Sequence, residues 1–242
     1  MASIKEKAFS SSLSSSTIVS MALKVFYEDN HIIAVYKPAG VLVQPDLPDG
    51  KSLMDDVKKY LKDKYKKQGN VFLGLVHRLD RNVSGVVIFA KTSKGAARLS
   101  EQFRNNEIKK IYHAVAEDKI SPANGSLVHY LKKDEERRIA VVSNLPKSGY
   151  DRSELEYEMV KSNSRYTLVK INLITGRFHQ IRAQLSAVGH PVVGDKKYGA
   201  KSKMSDDLLA LCATEIEFKT ATTGEIKTIK IDYPNEWNKF VE

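Results

Sequence analysis

Asp80 stands between two arginines, Arg78 and Arg81, in the segment Leu75-Val76-His77-Arg78-Leu79-Asp80-Arg81-Asn82-Val83-Ser84-Gly85-Val86-Val87-Ile88-Phe89-Ala90-Lys91, with an apolar run on either side. Charges are seldom carried that deep into apolar sequence without partners or purpose. A carboxylate in a cleft stays ionised when a cation offsets its desolvation, and the ionised group is then a nucleophile or a stabiliser of positive charge on carbon. Spacing alone leaves two readings open: a structural aspartate that hydrogen-bonds the following turn or pairs with Arg81, and a catalytic carboxylate with arginine close by. Two other side chains qualify as helpers. In residues 178–188, Phe178, Ile181, Leu185 and Val188 recur at helical spacing and put Arg182 on the border of the apolar face, where its stem can be buried and its guanidinium can reach a cleft. In Ile111-Tyr112-His113-Ala114-Val115-Ala116, alternation groups Tyr112 with Ala114 and Ala116, whose small side chains leave space over the ring for a flat group. Each also has an ordinary reading, a surface arginine and a core tyrosine.

The elements that must position these residues follow from periodicity. Strands are predicted near 23–27, 31–36, 71–79, 86–91, 111–117, 139–143, 154–161, 166–173 and 226–232, and helices near 52–67, 93–105 and 177–188. Asp80 falls at the end of the 71–79 strand. Arg78, two residues earlier, shares its side, while His77 faces away as a packed or hydrogen-bonded histidine. Ser93 is placed to cap the second helix and Thr175 the third, which Gly189 and Pro191 stop. Strands that follow one another without an intervening helix favour an α+β fold with antiparallel connections.

HRLDRNVSGVVIFAK resembles the signature of the RluA-type pseudouridine synthases, and three further segments agree in the same order. Val35 to Pro45 (VYKPAGVLVQP) is similar to the family's Lys-Pro-x-Gly segment, Lys109 to Val115 (KKIYHAV) to its tyrosine strand, and Thr175 to Gly199 (TGRFHQIRAQLSAVGHPVVGDKKYG) to its C-terminal block. The resemblance covers roughly residues 23 to 235. It implies a mixed, largely antiparallel sheet divided by a central catalytic cleft, with flanking helices. It also implies an enzyme that isomerises uridine to pseudouridine in structured RNA, ribosomal or transfer, with no cofactor and no metal. By the same resemblance Asp80 is the catalytic carboxylate, Tyr112 stacks under the target uracil and helps remove its C5 proton, and Arg182 keeps Asp80 ionised. Arg78 becomes the residue that rearranges RNA around a flipped base, and Ile181 an apolar wall of the base pocket. His179, Arg81, Lys196 and Lys197 complete the expected substrate contacts. Two positions depart from the family pattern: Val83 stands where Thr is usual, and Phe178 where Thr is common between Gly-Arg and His-Gln. Both bear on substrate preference more than on reaction type.

A formal net charge of +10 favours a polyanionic partner and salt-sensitive association. Lysines cluster at Lys58, Lys59, Lys62, Lys64, Lys66 and Lys67, where Met54, Val57 and Leu61 make an apolar helical face that leaves those lysines as its solvated side. A second cluster comprises Lys196, Lys197, Lys201 and Lys203. The single cysteine, Cys212, excludes an internal disulfide framework and fits a reducing compartment. A cytoplasmic monomer without membrane attachment or obligate protein partner is expected. Residues 1–21, Ser-rich and without arginine, read as a disordered tail, an organellar transit peptide being the alternative; residues 22–242 read as the catalytic domain. The histidines with Asp80 and Asp195 show no HxxxH, HxH or CxxC spacing, which counts against a metal hydrolase. A non-catalytic RNA-binding or ribosome assembly factor is the alternative that charge alone would also allow.

Overall fold

Residues 32–37 and 84–90 are apolar almost throughout, and in the computed structural model, which describes residues 23–46, 50–205 and 208–242, they form adjacent strands buried on both faces. The Ser-rich segment 1–21 and part of the 45–50 loop lie outside the described residues. Strands β1 (Val25–Glu28), β2 (Ile32–Lys37) and β4 (Ser84–Ala90) pair antiparallel in that order. Ile33, Val35, Val87 and Phe89 pack on one face with Leu53, Val57 and Leu61 of helix α1 (Leu53–Lys64). Ile32, Ala34, Val86 and Ile88 pack on the other with Leu99 of helix α2 (Ser93–Arg104). A strand covered on both sides loses its polar alternation, which is why these runs read as continuous hydrophobics.

Both helices start on side-chain caps. Ser52 accepts the Asp55 N–H while the Asp55 carboxylate accepts the Ser52 N–H, a reciprocal capping box, and the lysines of α1 lie on its solvated side. Thr92, rather than Ser93, caps α2: its hydroxyl accepts the Gly95 N–H at 3.1 Å and bonds His31 Nδ1 at 2.7 Å.

The sheet continues from β4 through β10 (Leu211–Lys219), β5 (Lys109–Glu117), β9 (Tyr166–Leu173), β8 (Asp151–Ser162) and β6 (Asn124–Asp134) to β7 (Ile139–Ser143). Two short strands, β3 (Gly74–Leu75) and β11 (Ile226–Lys230), attach to β4 and β10. Among the described residues β4 and β10 form the parallel pair, matched only at Cys212↔Ser84 and Ala213↔Gly85, and the other pairings are antiparallel. This short seam joins the two halves of the sheet. Gly85 has φ +131°, and a Cβ there would overlap the Ala213 backbone, so the seam closes only around glycine. β6 and β10 carry no predicted strand, because charge and polar residues interrupt their alternation, and pairing with neighbours on both sides overrides that weak local signal.

The 71–79 strand is corrected to two residues, and the reason is competition for an edge. β2 occupies one side of β4 along its length; β3 takes the other side at Phe89 and Ala90, and β10 takes it at Ser84 and Gly85. β10 ends the edge that residues 79 and 80 would need, and between β3 and β10 only Val86 to Ile88 are left on that side of β4. The Ile88 N–H left in the gap donates instead to His77 Nε2 at 3.0 Å, and the imidazole stacks on Phe103. Burial, and then the positive charge of Lys110, pull the His77 pKa down from 6.5 to about 3. The unfolded chain takes up this proton near pH 6.5 and the folded chain does not, so stability falls as pH drops from 6.5 toward 3. Thermal midpoints are expected to decline across that window, and the His77→Gln variant to decline with a slope smaller by one proton; an unchanged slope would contradict the assignment.

Candidate active site

Freed from the sheet, residues 76–83 form a loop across the seam, and Asp80 ends it in a turn closed by the Val83 N–H to Asp80 carbonyl bond at 3.1 Å. The loop is held from below by Lys37. Fully buried, its ammonium donates to the carbonyls of Pro38, Val41 and Arg81 at 2.9, 2.7 and 2.9 Å, so the segment after β2 and the Asp80 loop are fastened together. Burial pulls its pKa down to about 7 against the raising influence of Asp80, while three carbonyl acceptors match the three N–H donors of the charged form.

Across the seam stands helix α3 (Gln180–Ala187), which packs on β6 and β7 of the other half. Its first turn has no side-chain cap. His179 enters with φ 51°, and Thr175, expected as the cap, instead donates to Gln180 Oε1 at 2.8 Å. Gly189 at φ 89° ends the helix as its sequence suggests. Arg182 does not sit at a border: it is buried, and its guanidinium binds two carboxylates at once. Nη1 donates to Asp80 Oδ2 at 2.8 Å, while Nε and Nη2 donate to Asp195 Oδ2 and Oδ1 at 2.6 and 2.9 Å. Burial alone would lower the Arg182 pKa, but the hydrogen bonds to Asp195 and the charges of Asp195 and Asp80 raise it overall. The guanidinium is a fixed cation. Asp195 is 1% exposed, and the Asp80 side chain keeps 30% of its surface open, so one carboxylate anchors the arginine and the other is presented to solvent.

Asp80, Tyr112, Arg182, Arg78, Ile181 and His179 line one cleft of about 670 Å³. Burial, then the negative charge of Asp80, push the Tyr112 pKa up, so the phenol is neutral at physiological pH. His179 lies beside Asp80 rather than out toward solvent. Its Nε2 is 3.4 Å from Asp80 Oδ2 and its Nδ1 is 3.0 Å from the Tyr198 hydroxyl, which itself accepts the Ala140 N–H at 2.6 Å. With that lone pair engaged, the Tyr198 hydroxyl is free to donate to Nδ1, which leaves the proton on Nε2 facing Asp80. Burial is the larger cause of the fall in the His179 pKa to about 4, against the raising charge of Asp80. Phe178 stacks on His179 with ring centroids 3.8 Å apart, lies under the Lys133 ammonium and packs against the cluster of Leu131, Ala140 and Ala183, so its bulk ties the start of α3 to the β6–β7 hairpin.

Three expected contacts lie elsewhere. Arg81 is exposed outside the cleft lining, with Nε donating to the Gly40 carbonyl at 3.0 Å. Lys196 and Lys197 are exposed on a short 3-10 turn beside Asp195 and do not line the cleft. Sequence reasoning weighed Asp195 only as a metal ligand and passed over Lys37, Lys110 and Tyr198. A lone Asp closing the apolar run Val192-Val193-Gly194 was the available signal for a buried ion pair.

A carboxylate clamped by a buried guanidinium, with a tyrosine ring in the same arginine-lined cleft at the seam of the sheet, is an arrangement suited to holding a flat base beside a negative charge. Residues 31–187 match the family described as RNA pseudouridylate synthase. The chain is 30% identical over 237 residues to tRNA pseudouridine synthase C of Pectobacterium carotovorum, covering 90% of this chain and 61% of that protein. It is 32% identical over 234 residues to ribosomal large subunit pseudouridine synthase C of Buchnera aphidicola, covering 90% of this chain and 71% of the relative. The solved structure of human RNA pseudouridylate synthase domain containing 4 superposes with a TM-score of 0.73 at 22% identity, over 89% of this chain and 90% of the other, and shares the fold. This chain belongs to the RNA pseudouridylate synthase family and is an RNA pseudouridine synthase. Among the described residues no helix is long and apolar enough to cross a membrane.

Proposed function

We propose that this protein isomerises specific uridines of ribosomal or transfer RNA, with Asp80 as the catalytic carboxylate. One observation carries the reading: the Asp80 carboxylate is partly open to the cleft and held 2.8 Å from a buried Arg182 whose Nε and Nη2 bind Asp195. A carboxylate at that place faces the reacting carbon with a fixed guanidinium behind it, which favours its negative form. The target base reaches it only when unstacked from its RNA, and exposed Arg78 at the cleft rim is positioned to fill the space the base leaves. The uracil then lies on Tyr112, with Ile181 as its apolar wall. The carboxylate acts at ribose C1' as the C1'–N1 bond breaks, the base turns, C1' joins C5, the C5 proton leaves and N1 takes one up. The sum is an isomerisation with no redox change.

Because the Tyr112 phenol enters neutral, it accepts the C5 proton only by passing its own onward in the same step. Purified protein is expected to form pseudouridine in ribosomal or transfer RNA, read by mapping the modified positions under single turnover. Tyr112→Phe, which keeps the ring, should lower that rate by about 10²-fold while changing RNA affinity little. A normal rate in the variant would dismiss the hydroxyl's role, and no product in either RNA class from the wild type would dismiss the function. Residues 22–242 act here as one catalytic domain working as a monomer, in the cytoplasm or in an organelle if residues 1–21 serve as a transit peptide. The single cysteine and an RNA substrate both suit a reducing compartment.

A further inference from the structure

Among the described residues two lysines, Lys37 and Lys110, are buried, and they differ in one respect. Lys37 gives all three N–H donors to carbonyls. Lys110 is 9% exposed, and among the described residues no carboxylate, carbonyl or hydroxyl lies within hydrogen-bond or ion-pair reach of its ammonium. A largely desolvated cation with no protein partner weakens the fold, and one whose ammonium still opens to the cleft is placed to take a ligand from outside. Burial lowers the Lys110 pKa accordingly, and an arriving anion would reverse that.

The surroundings specify the anion's chemistry. Lys110 and Tyr112 are two residues apart on β5 and both line the cleft, so their Cα atoms are about 6.6 Å apart on one face of the strand. That is close to the reach from a pyrimidine ring to the phosphate of the same nucleotide. Nζ lies 3.9 Å from where a Cβ on Gly176 would sit, so the missing side chain at Gly176 keeps the space beside the ammonium clear. Arg78, Arg104 and Arg177 line the same cleft, and among the described residues of the lining Asp80 is the one that is acidic.

We propose that Lys110 is a phosphate seat, holding a backbone phosphate next to the target nucleotide while its base lies on Tyr112. This rests on the uridine-isomerase reading for the position of the base, but its test reads RNA binding and is independent of turnover. A short RNA substrate is compared with versions carrying a neutral methylphosphonate at the phosphate on either side of the target uridine, against wild type, Lys110→Met and Lys110→Arg. In wild type the neutral linkage on one side should weaken binding about tenfold. Lys110→Met should bind the unmodified RNA about tenfold more weakly, show no further loss with that linkage, and have a salt-dependence slope shallower by about 0.7. Its thermal midpoint should equal or exceed that of wild type, since a desolvated charge has been removed, and Lys110→Arg should keep most of the affinity. If the methylphosphonates weaken Lys110→Met as much as wild type, or the salt slope does not change, the seat is elsewhere. Absence of pseudouridine with the coupling intact would overturn the isomerase reading and leave the phosphate seat standing.

Discussion

Asp80→Asn is expected to abolish pseudouridine formation, by at least about 10³-fold in single turnover, while leaving RNA affinity within a few-fold of wild type. The amide has nearly the shape of the carboxylate, but it carries no negative charge to meet C1'. Arg182 keeps Asp195 as its partner in this variant, so the fold does not lose its buried ion pair. Asp80 is partly open to solvent, so its bond to Arg182 contributes no more than about 1 kcal/mol to stability. The variant should therefore be folded, bind RNA and be inert. A filter-binding curve and a product assay on one preparation check this. Retained product would remove Asp80 from the chemistry, whereas lost binding would turn it into an RNA contact.

Arg182→Met should fail in a different way. Asp195 is 1% exposed and hydrogen-bonded to two guanidinium nitrogens, so truncating the arginine strands a buried carboxylate. Removing one partner of such a pair typically destabilises by about 3–5 kcal/mol, which for a chain of this size lowers the thermal midpoint by roughly 10 °C. The stranded Asp195 then has a folded pKa above its unfolded one, so the deficit should be smaller at pH 5 than at pH 7.5. Adding Asp195→Asn to Arg182→Met should restore much of the stability, because no buried charge is left, yet pseudouridine formation should stay absent, because Asp80 has lost its cation. Recovery of activity with stability would show that Arg182 serves the fold alone.

The motif around Asp80, the tyrosine strand and the helix carrying Arg182 were legible because each is a local pattern: charges between apolar runs, alternation on a strand, periodicity on a helix. Gly85 was visible as turn chemistry, but its function is a close approach to Ala213, more than a hundred residues on. Residues 76–80 have the composition of a strand, but β10 takes the edge of β4 at Ser84 and Gly85, and the His77 imidazole takes the Ile88 N–H that a continued ladder would use. The irregularity that exposes Asp80 is thus a consequence of sheet topology. Arg182 read as amphipathic from its neighbours, yet it is enclosed because Asp195 lies beneath it. Arg81, from the same charged segment as Asp80, turned out to brace the Gly40 loop instead of the cleft. Lys110 was quoted within the tyrosine strand and given no role, since whether a lysine has a partner cannot be seen from its neighbours in the chain.

The sequence by itself determined the family, the candidate carboxylate, and most of the helices and buried strands, β6 and β10 excepted, because those depend on residue type and spacing over a few positions. Only the tertiary structure decided that Arg182 divides its donors between two carboxylates, that His179 turns inward to Asp80, and that Lys110 has no acceptor among the described residues. Ion-pair geometry and desolvation depend on groups that meet across the seam from positions up to 102 residues apart, and no local pattern encodes that meeting.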